Sequence, residues 1–186
     1  YENAIKLIDN AVKIGADCVK FQMRDMQELY SKDALNMTAG DLSTQYTINL
    51  LNKFQLNFND FKKLAKYAEE KNIIFMCTPW DKKSVDKLEK IKVPAYKLAS
   101  ADLTNLDLIN YVSRTNKPII LSTGMSSESE IEITVKYLLS KKIKFALLHT
   151  NSTYPTPAKD INLNYIDRLI DKFNVPIGYS GHERGI

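Results

Sequence analysis

Cysteine, histidine and tryptophan are scarce in this 186-residue chain: two, two and one. The two cysteines, Cys18 and Cys77, each sit inside an apolar run, and neither has ligand-type spacing to another cysteine. That excludes a disulfide framework and a cysteine-rich zinc site, and both read as buried free thiols of a reducing compartment. Two histidines, His149 and His182, do not on spacing alone make a metal centre, which needs several ligands of compatible geometry. No basic run carries interleaved aromatic residues, so nucleic-acid binding is not expected. No apolar stretch approaches the roughly 20 residues of a membrane span, and no signal-peptide pattern opens the chain. The expectation is a cytoplasmic protein with no membrane partner.

What remains is ordinary soluble-protein material, 44% hydrophobic and 26% charged with a formal net charge of +4. The length suits one well-buried core and is too short for two full domains. Lysine dominates the basic residues and is scattered over amphipathic stretches such as Phe61 to Lys71, where it reads as a solvated face.

The chain alternates two patterns. Ala4, Ile5, Ile8, Ala11 and Val12 recur at helical spacing until Gly15. The short apolar run Cys18 to Gln22 follows, then a polar connection containing Gly40. Helical patterns are predicted from about Thr44, over Phe58 to Glu70, over Ser84 to Ile91, over Leu106 to Arg114, from Ser127 to Leu139 and near Leu163 to Phe173. Ser127 with Glu130 three residues on is a capping signal. Between them lie strand-like runs at Ile73 to Cys77, Ala95 to Ser100, Ile119 to Gly124, Phe145 to His149 and Val175 to Ser180. Continuous apolar runs suit parallel strands covered on both faces, and strand–helix–strand repeats imply right-handed crossovers.

An open doubly wound sheet and a closed (β/α)8 TIM barrel both fit this alternation. No glycine-rich phosphate loop follows the first run, which counts against the nucleotide-binding sheet. Polar residues end every run: Lys20 and Gln22, Thr78, Lys97 and Ser100, Ser122 and Thr123, His149, then Ser180 and His182. A barrel gathers such ends around one mouth, where its chemistry is done. The α/β reading is therefore a barrel, with residues 1–186 supplying strands two to seven and the first and last strands lying outside.

Side chains two apart on a strand share a face, so Lys20 and Gln22 point one way and Val19 and Phe21 the other. A lysine aimed into a barrel is expensive to bury unless an anion or a carboxylate meets it. Lys97 repeats the situation. With hydroxyls at Thr78, Ser100, Ser122 and Ser180, the two lysines are expected to line a pocket for phosphate and carboxylate. The alternative is an ion pair for each. His182 reads as a structural residue or a ligand, and Tyr154 as a packed ring or a sugar contact. Gly124 and Met125 read as loop geometry, and Trp80 has no role that the sequence assigns.

Five ordered motifs carry a resemblance across nearly the whole chain: Gly15 to Gln22, Pro94 to Ser100, Pro118 to Met125, His149 to Pro157 and Gly178 to Glu183. Together they resemble the N-acetylneuraminate (sialic acid) synthase family, relatives of the octulosonate and heptulosonate phosphate synthases. The resemblance implies a TIM barrel holding phosphoenolpyruvate among Lys20, Gln22, Thr78, Lys97, Ser100, Ser122, Ser152 and Ser180. It implies a sugar contact at Tyr154, a divalent metal, manganese or magnesium, at His182, and an acidic residue near the reacting centre at Asp102, where the family often has Glu. Catalytic roles fall to Lys97, Asp102 and Lys20. The implied reaction joins phosphoenolpyruvate to an N-acylated amino sugar such as N-acetylmannosamine, or to a diacetamido hexose leading to legionaminic or pseudaminic acid. Gly181-His182-Glu183 leans toward the neuraminate-like group. The family's second metal histidine, a late sugar-binding Asp and a small antifreeze-like C-terminal domain are expected outside this chain, which alone is not expected to be active. The full-length protein is expected to be a homodimer. Rival readings are a phosphate-binding barrel isomerase and a non-catalytic sugar- or phosphate-binding barrel.

Overall fold

The computed structural model describes residues 1–36 and 44–185. Two compact units divide the chain, Tyr1–Pro94 and Ala95–Ile186. The polar connection around Gly40 lies outside the described residues.

In the first unit, helix α1 (Glu2–Lys13) buries Ala4 and Ile8, four apart on one face, and turns most other positions to solvent. It ends where Gly15 takes φ +75, a conformation that costs glycine least. Strand β1 (Cys18–Met23) follows, then two short helices, α2 (Met26–Leu29) and α3 (Lys32–Asn36), where the sequence suggested only a polar connection. Helices α4 (Thr44–Phe54) and α5 (Phe58–Glu70) lead into strand β2 (Ile74–Pro79), and α6 (Lys82–Ile91) closes the unit. Asn57 caps α5 by accepting from the Asp60 N–H at 3.0 Å. Asp81 caps α6 more elaborately, accepting from the Ser84 N–H at 2.7 Å and the Ser84 hydroxyl at 2.8 Å. Both α5 and α6 pack on β2. β1 and β2 run parallel, pairing Val19 with Phe75 and Phe21 with Cys77. These apolar side chains share one face, where Phe21 and Phe75 stack with ring centroids 5.6 Å apart.

The second unit holds β3 (Tyr96–Leu98), a 3-10 turn at Ser100–Asp102, α7 (Leu106–Ser113), β4 (Ile119–Ser122), α8 (Glu128–Ser140), β5 (Phe145–Thr150), a 3-10 turn at Ala158–Asp160, α9 (Tyr165–Lys172) and β6 (Ile177–Ser180). β3, β4, β5 and β6 pair in that order, all parallel. The α/β alternation read from the sequence is present, with boundaries within about three residues of expectation. One difference is informative: the run through Ser100 stops being a strand at Leu98, because the chain coils into the turn that carries Ser100 and Asp102. The capping box at Ser127 forms as predicted. Tyr96, Leu98, Ile119, Leu121 and Leu147 are all fully buried. Each such side chain contributes roughly 1.5–3 kcal/mol by leaving water.

Among the described residues no helix is long and apolar enough to cross a membrane. Cys18 and Cys77 are free thiols, and burial pushes the Cys77 thiol far above its ordinary range, so it packs rather than reacts. Cys18 is only half-buried.

Candidate active site

The β1–β2 register places Lys20 beside Met76 and Gln22 beside Thr78, so Lys20, Gln22 and Thr78 share the face opposite the Phe21–Phe75 stack. This is the alternation expected from the sequence. Lys20 and Gln22 are exposed, whereas Thr78 is buried. Gln22 is not a loose side chain, because its amide oxygen accepts from Arg24 and from the Trp80 indole.

In the second unit the register puts Lys97, Ser122 and Ser180 on one face of the ladder. Lys97 is only 7% exposed. Its ammonium donates to the Leu98 carbonyl at 2.7 Å and to Ser122 Oγ at 2.6 Å. Hydrogen bonds of this kind offset much of the cost of holding an ammonium out of water. Ser122 accepts here, which leaves its own hydroxyl hydrogen to donate elsewhere.

Beyond the strand ends, three connections meet at Gly124. Its N–H donates to Ser100 Oγ at 3.1 Å. A Cβ placed on Gly124 would lie 2.5 Å from Ser152 Oγ, 2.9 Å from Ser100 Oγ and 3.0 Å from the Thr150 carbonyl. Only glycine lets these two hydroxyls close in. Met125 then takes φ +64, a left-handed conformation that a side chain rarely adopts. The sequence reading of this pair as loop geometry holds.

Asp102 is buried. Its Oδ1 accepts from Asn105 Nδ2 at 3.0 Å, and its Oδ2 has no partner among the described residues. Burial raises its carboxyl above the ordinary carboxylate range, offset in part by the Asn105 hydrogen bond. Burial thus makes this carboxyl hold its proton more tightly than an exposed aspartate does.

Tyr154 and His182 form a pair. Their rings stack with centroids 3.9 Å apart, and the Tyr154 hydroxyl lies 2.7 Å from His182 Nε2. The Thr156 N–H donates to the His182 carbonyl at 3.0 Å, which docks the proline-rich loop against this residue. One face of the Tyr154 ring is therefore covered by His182, while the residue remains 74% exposed. His182 Nδ1 is buried without a partner. Such an atom suits a metal, yet no three His, Cys, Asp or Glu side chains gather as a metal-binding set among the described residues. The described residues thus offer one fitting imidazole and no complete coordination shell.

His149 departs from expectation. The register pairs it with Tyr179, on the helix-facing side of β5 and away from Lys97 and Ser180. Its ring stacks on Tyr179 at 5.8 Å, and Nε2 donates to the Ile161 carbonyl at 2.7 Å. A carbonyl can only accept, so Nε2 carries the proton. The period of two decides this: residue 149 is one step out of phase with Leu148 and Thr150. A cavity of about 370 Å³, lined by Gly124, His149, Asn151, Ser152, Asp160 and Tyr165 among others, flanks the Gly124 junction.

The NeuB family pattern matches residues 7–186. The chain belongs to the NeuB family. It is 43% identical over 182 residues to an uncharacterized protein of Methanocaldococcus jannaschii, covering 97% of this chain and 51% of that protein. It is 37% identical over 192 residues to the N,N'-diacetyllegionaminic acid synthase of Campylobacter jejuni, covering 98% of this chain and 57% of that one. The N-acetylneuraminic acid (sialic acid) synthetase of Leptospira borgpetersenii, solved in complex with citrate, superimposes with a TM-score of 0.88 at 34% identity, covering 98% of this chain and 60% of that one. This NeuB-family chain spans about half the length of the curated relatives it matches.

Sequence reasoning missed Arg24, Trp80 and Asn105, which hold predicted residues in place. Asn105 could have been found, since it stands three residues after Asp102 at the N-cap of α7, where a short amide caps. Arg24 and Trp80 gave no periodic signal.

Proposed function

We propose that this chain is the greater part of the (β/α)8 catalytic barrel of a sialic-acid-type synthase. The full-length enzyme would condense phosphoenolpyruvate with an N-acylated amino sugar aldehyde to give a nonulosonic acid and phosphate. The observation that carries the reading is the buried Lys97 ammonium on Ser122, sharing a face with Ser180, in a NeuB-family chain. A buried ammonium held by a hydroxyl and a backbone carbonyl can serve as a fixed countercharge for an anionic ligand.

In this reading Lys97 and Lys20 hold the carboxylate and phosphate, and Gln22, Thr78, Ser100, Ser122, Ser152 and Ser180 supply hydrogen bonds. C3 of phosphoenolpyruvate forms the new bond to the aldehyde carbon, whose oxygen takes up a proton. Water adds at C2, and the tetrahedral intermediate expels phosphate to leave the 2-keto acid. Fixed cations act by positioning the anion and stabilising charge as it develops. Asp102, with a raised carboxyl and an unpaired Oδ2, is the described group best suited to move a proton. Tyr154 would contact the sugar with its open face. His182 would serve as one ligand of a divalent manganese or magnesium ion, which supplies Lewis-acid polarisation of the aldehyde oxygen when bound.

The test is phosphate release by the full-length protein, given phosphoenolpyruvate with N-acetylmannosamine or with a diacetamido hexose. Release that depends on both substrates is expected. Phosphoenolpyruvate binding without turnover on any sugar would instead support a non-catalytic binding barrel. The diacetamido hexose is a second reading of the substrate, favoured by the likeness to the Campylobacter legionaminic acid synthase.

A further inference from the structure

The exits of β1 and β2 are stitched together at two points. The Trp80 N–H donates to the Met23 carbonyl at 3.0 Å, and the Asp25 N–H donates to Asp81 Oδ2 at 2.7 Å. Arg24 and Trp80 lie between those ties, and their side chains meet, with the guanidinium carbon 4.8 Å from the indole ring centroid. Both then aim a donor at the same atom. Arg24 Nη2 lies 2.5 Å from Gln22 Oε1, and Trp80 Nε1 lies 3.1 Å from it.

A guanidinium and an indole N–H can only donate. The Gln22 amide must therefore turn its oxygen toward them and its NH2 away. An exposed glutamine amide otherwise flips freely, and fixing it removes an ordering cost from ligand binding. Lys20, two residues earlier on the same face, also offers only donors.

We propose that Arg24 and Trp80 are positioning residues that make position 22 a donor-only contact, so that the substrate group facing it is a hydrogen-bond acceptor. The identity of that substrate rests on the synthase reading; the clamp itself does not. Without the clamp the amide would present its oxygen about as often as its nitrogen, and a hydroxyl could donate to it. With the clamp in place that option is closed.

Two measurements on the full-length protein test this. In steady-state assays with phosphoenolpyruvate and N-acetylmannosamine or a diacetamido hexose, Gln22→Glu keeps both clamp partners satisfied but has no N–H to offer. It is expected to raise KM for the contacted substrate about tenfold, and Trp80→Phe about threefold, with kcat changing less. The double variant is expected to be no worse than Gln22→Glu alone, because orientation ceases to matter once the donors are gone. Losses that multiply would mean that Trp80 acts only through the fold, and would overturn the proposal. The second readout needs no activity. The Trp80 indole N–H resonance, identified by its loss in Trp80→Phe, is expected to shift and exchange faster with solvent in Gln22→Ala. An unchanged signal would remove the clamp whatever the enzyme does. A shifted signal in a protein that turns over no sugar would leave the clamp standing and the synthase reading refuted.

Discussion

The Lys97 ammonium reaches across from β3 to β4 and donates to Ser122 Oγ at 2.6 Å, two residues beyond the position that pairs with Lys97 in the ladder. The contact fixes where a buried positive charge sits, so the lysine need not reorganise when an anion arrives. On the proposed synthase reading, Lys97→Ala in the full-length protein is expected to lower phosphate release by about a hundredfold or more, as does the loss of a single fixed electrostatic partner in other enzymes. Its thermal midpoint should stay close to that of the parent. Near-normal turnover would refute the role.

Gly124 makes a packing prediction. A methyl group there meets the Thr150 carbonyl, which is backbone and cannot swing aside, as well as two serine hydroxyls. Gly124→Ala should cost about 1–3 kcal/mol, the usual range for overpacking. Ser152→Ala in the same chain should recover part of that loss in denaturant melts and none of the clash with Thr150.

Asp102 makes a prediction about pH. Its folded carboxyl titrates above the unfolded one because burial disfavours the charge. The folded form therefore holds its proton more tightly, and this contribution is complete below the unfolded value of about 4 and is lost as pH rises through the folded value. Asp102→Asn should flatten that part of the stability profile and raise the melting temperature at neutral pH relative to the parent. Melting curves collected between acid and neutral pH, without ligand, would decide it. A parallel profile in the variant would mean that the carboxyl is not strained by burial.

An ion cluster ties α8 to α9. Glu128 accepts from Lys172 at 2.6 Å and Arg168 at 2.8 Å, and Glu132 accepts from Lys172 at 3.2 Å. These partners hold the Glu128 carboxyl below its ordinary range, so its contribution is present at neutral pH and lost as acid protonates it. Glu128→Gln should lower the melting temperature in dilute buffer, and the gap should narrow in 1 M salt, where charges are screened beyond about 3 Å.

Leu121 is fully buried at the centre of the second ladder. Leu121→Ala should cost about 2–5 kcal/mol, a far larger loss than any of the surface changes. Chemical denaturation measures it directly.

Much of this was legible from residue order. Runs such as Cys18 to Gln22 and Phe145 to His149 declare strands because they are short, apolar and bounded by turn residues, and Ser127 with Glu130 declares a helix start. The lysines were legible because each sits in an apolar run where a charge has no packing reason to be. A histidine at a strand end reads as a mouth residue, but the phase of His149 against Leu148 and Thr150 turns it to the opposite face. The Gln22 clamp was hidden for another reason. Arg24 and Trp80 are 56 residues apart, and only the parallel register of β1 and β2 makes them neighbours. The Asp102–Asn105 bond, by contrast, is a local contact of residues three apart at a helix start, a spacing that the sequence displays.

The alternation along β4 and β5 has an evolutionary side. Lengthening β4 by one residue ahead of Ser122 would exchange its facing with that of Leu121, hiding a hydroxyl among greasy neighbours and turning a greasy chain toward the lysine. Insertions and deletions among descendants of this gene should therefore collect in helices and connecting segments, where added length leaves the odd–even parity of each ladder intact.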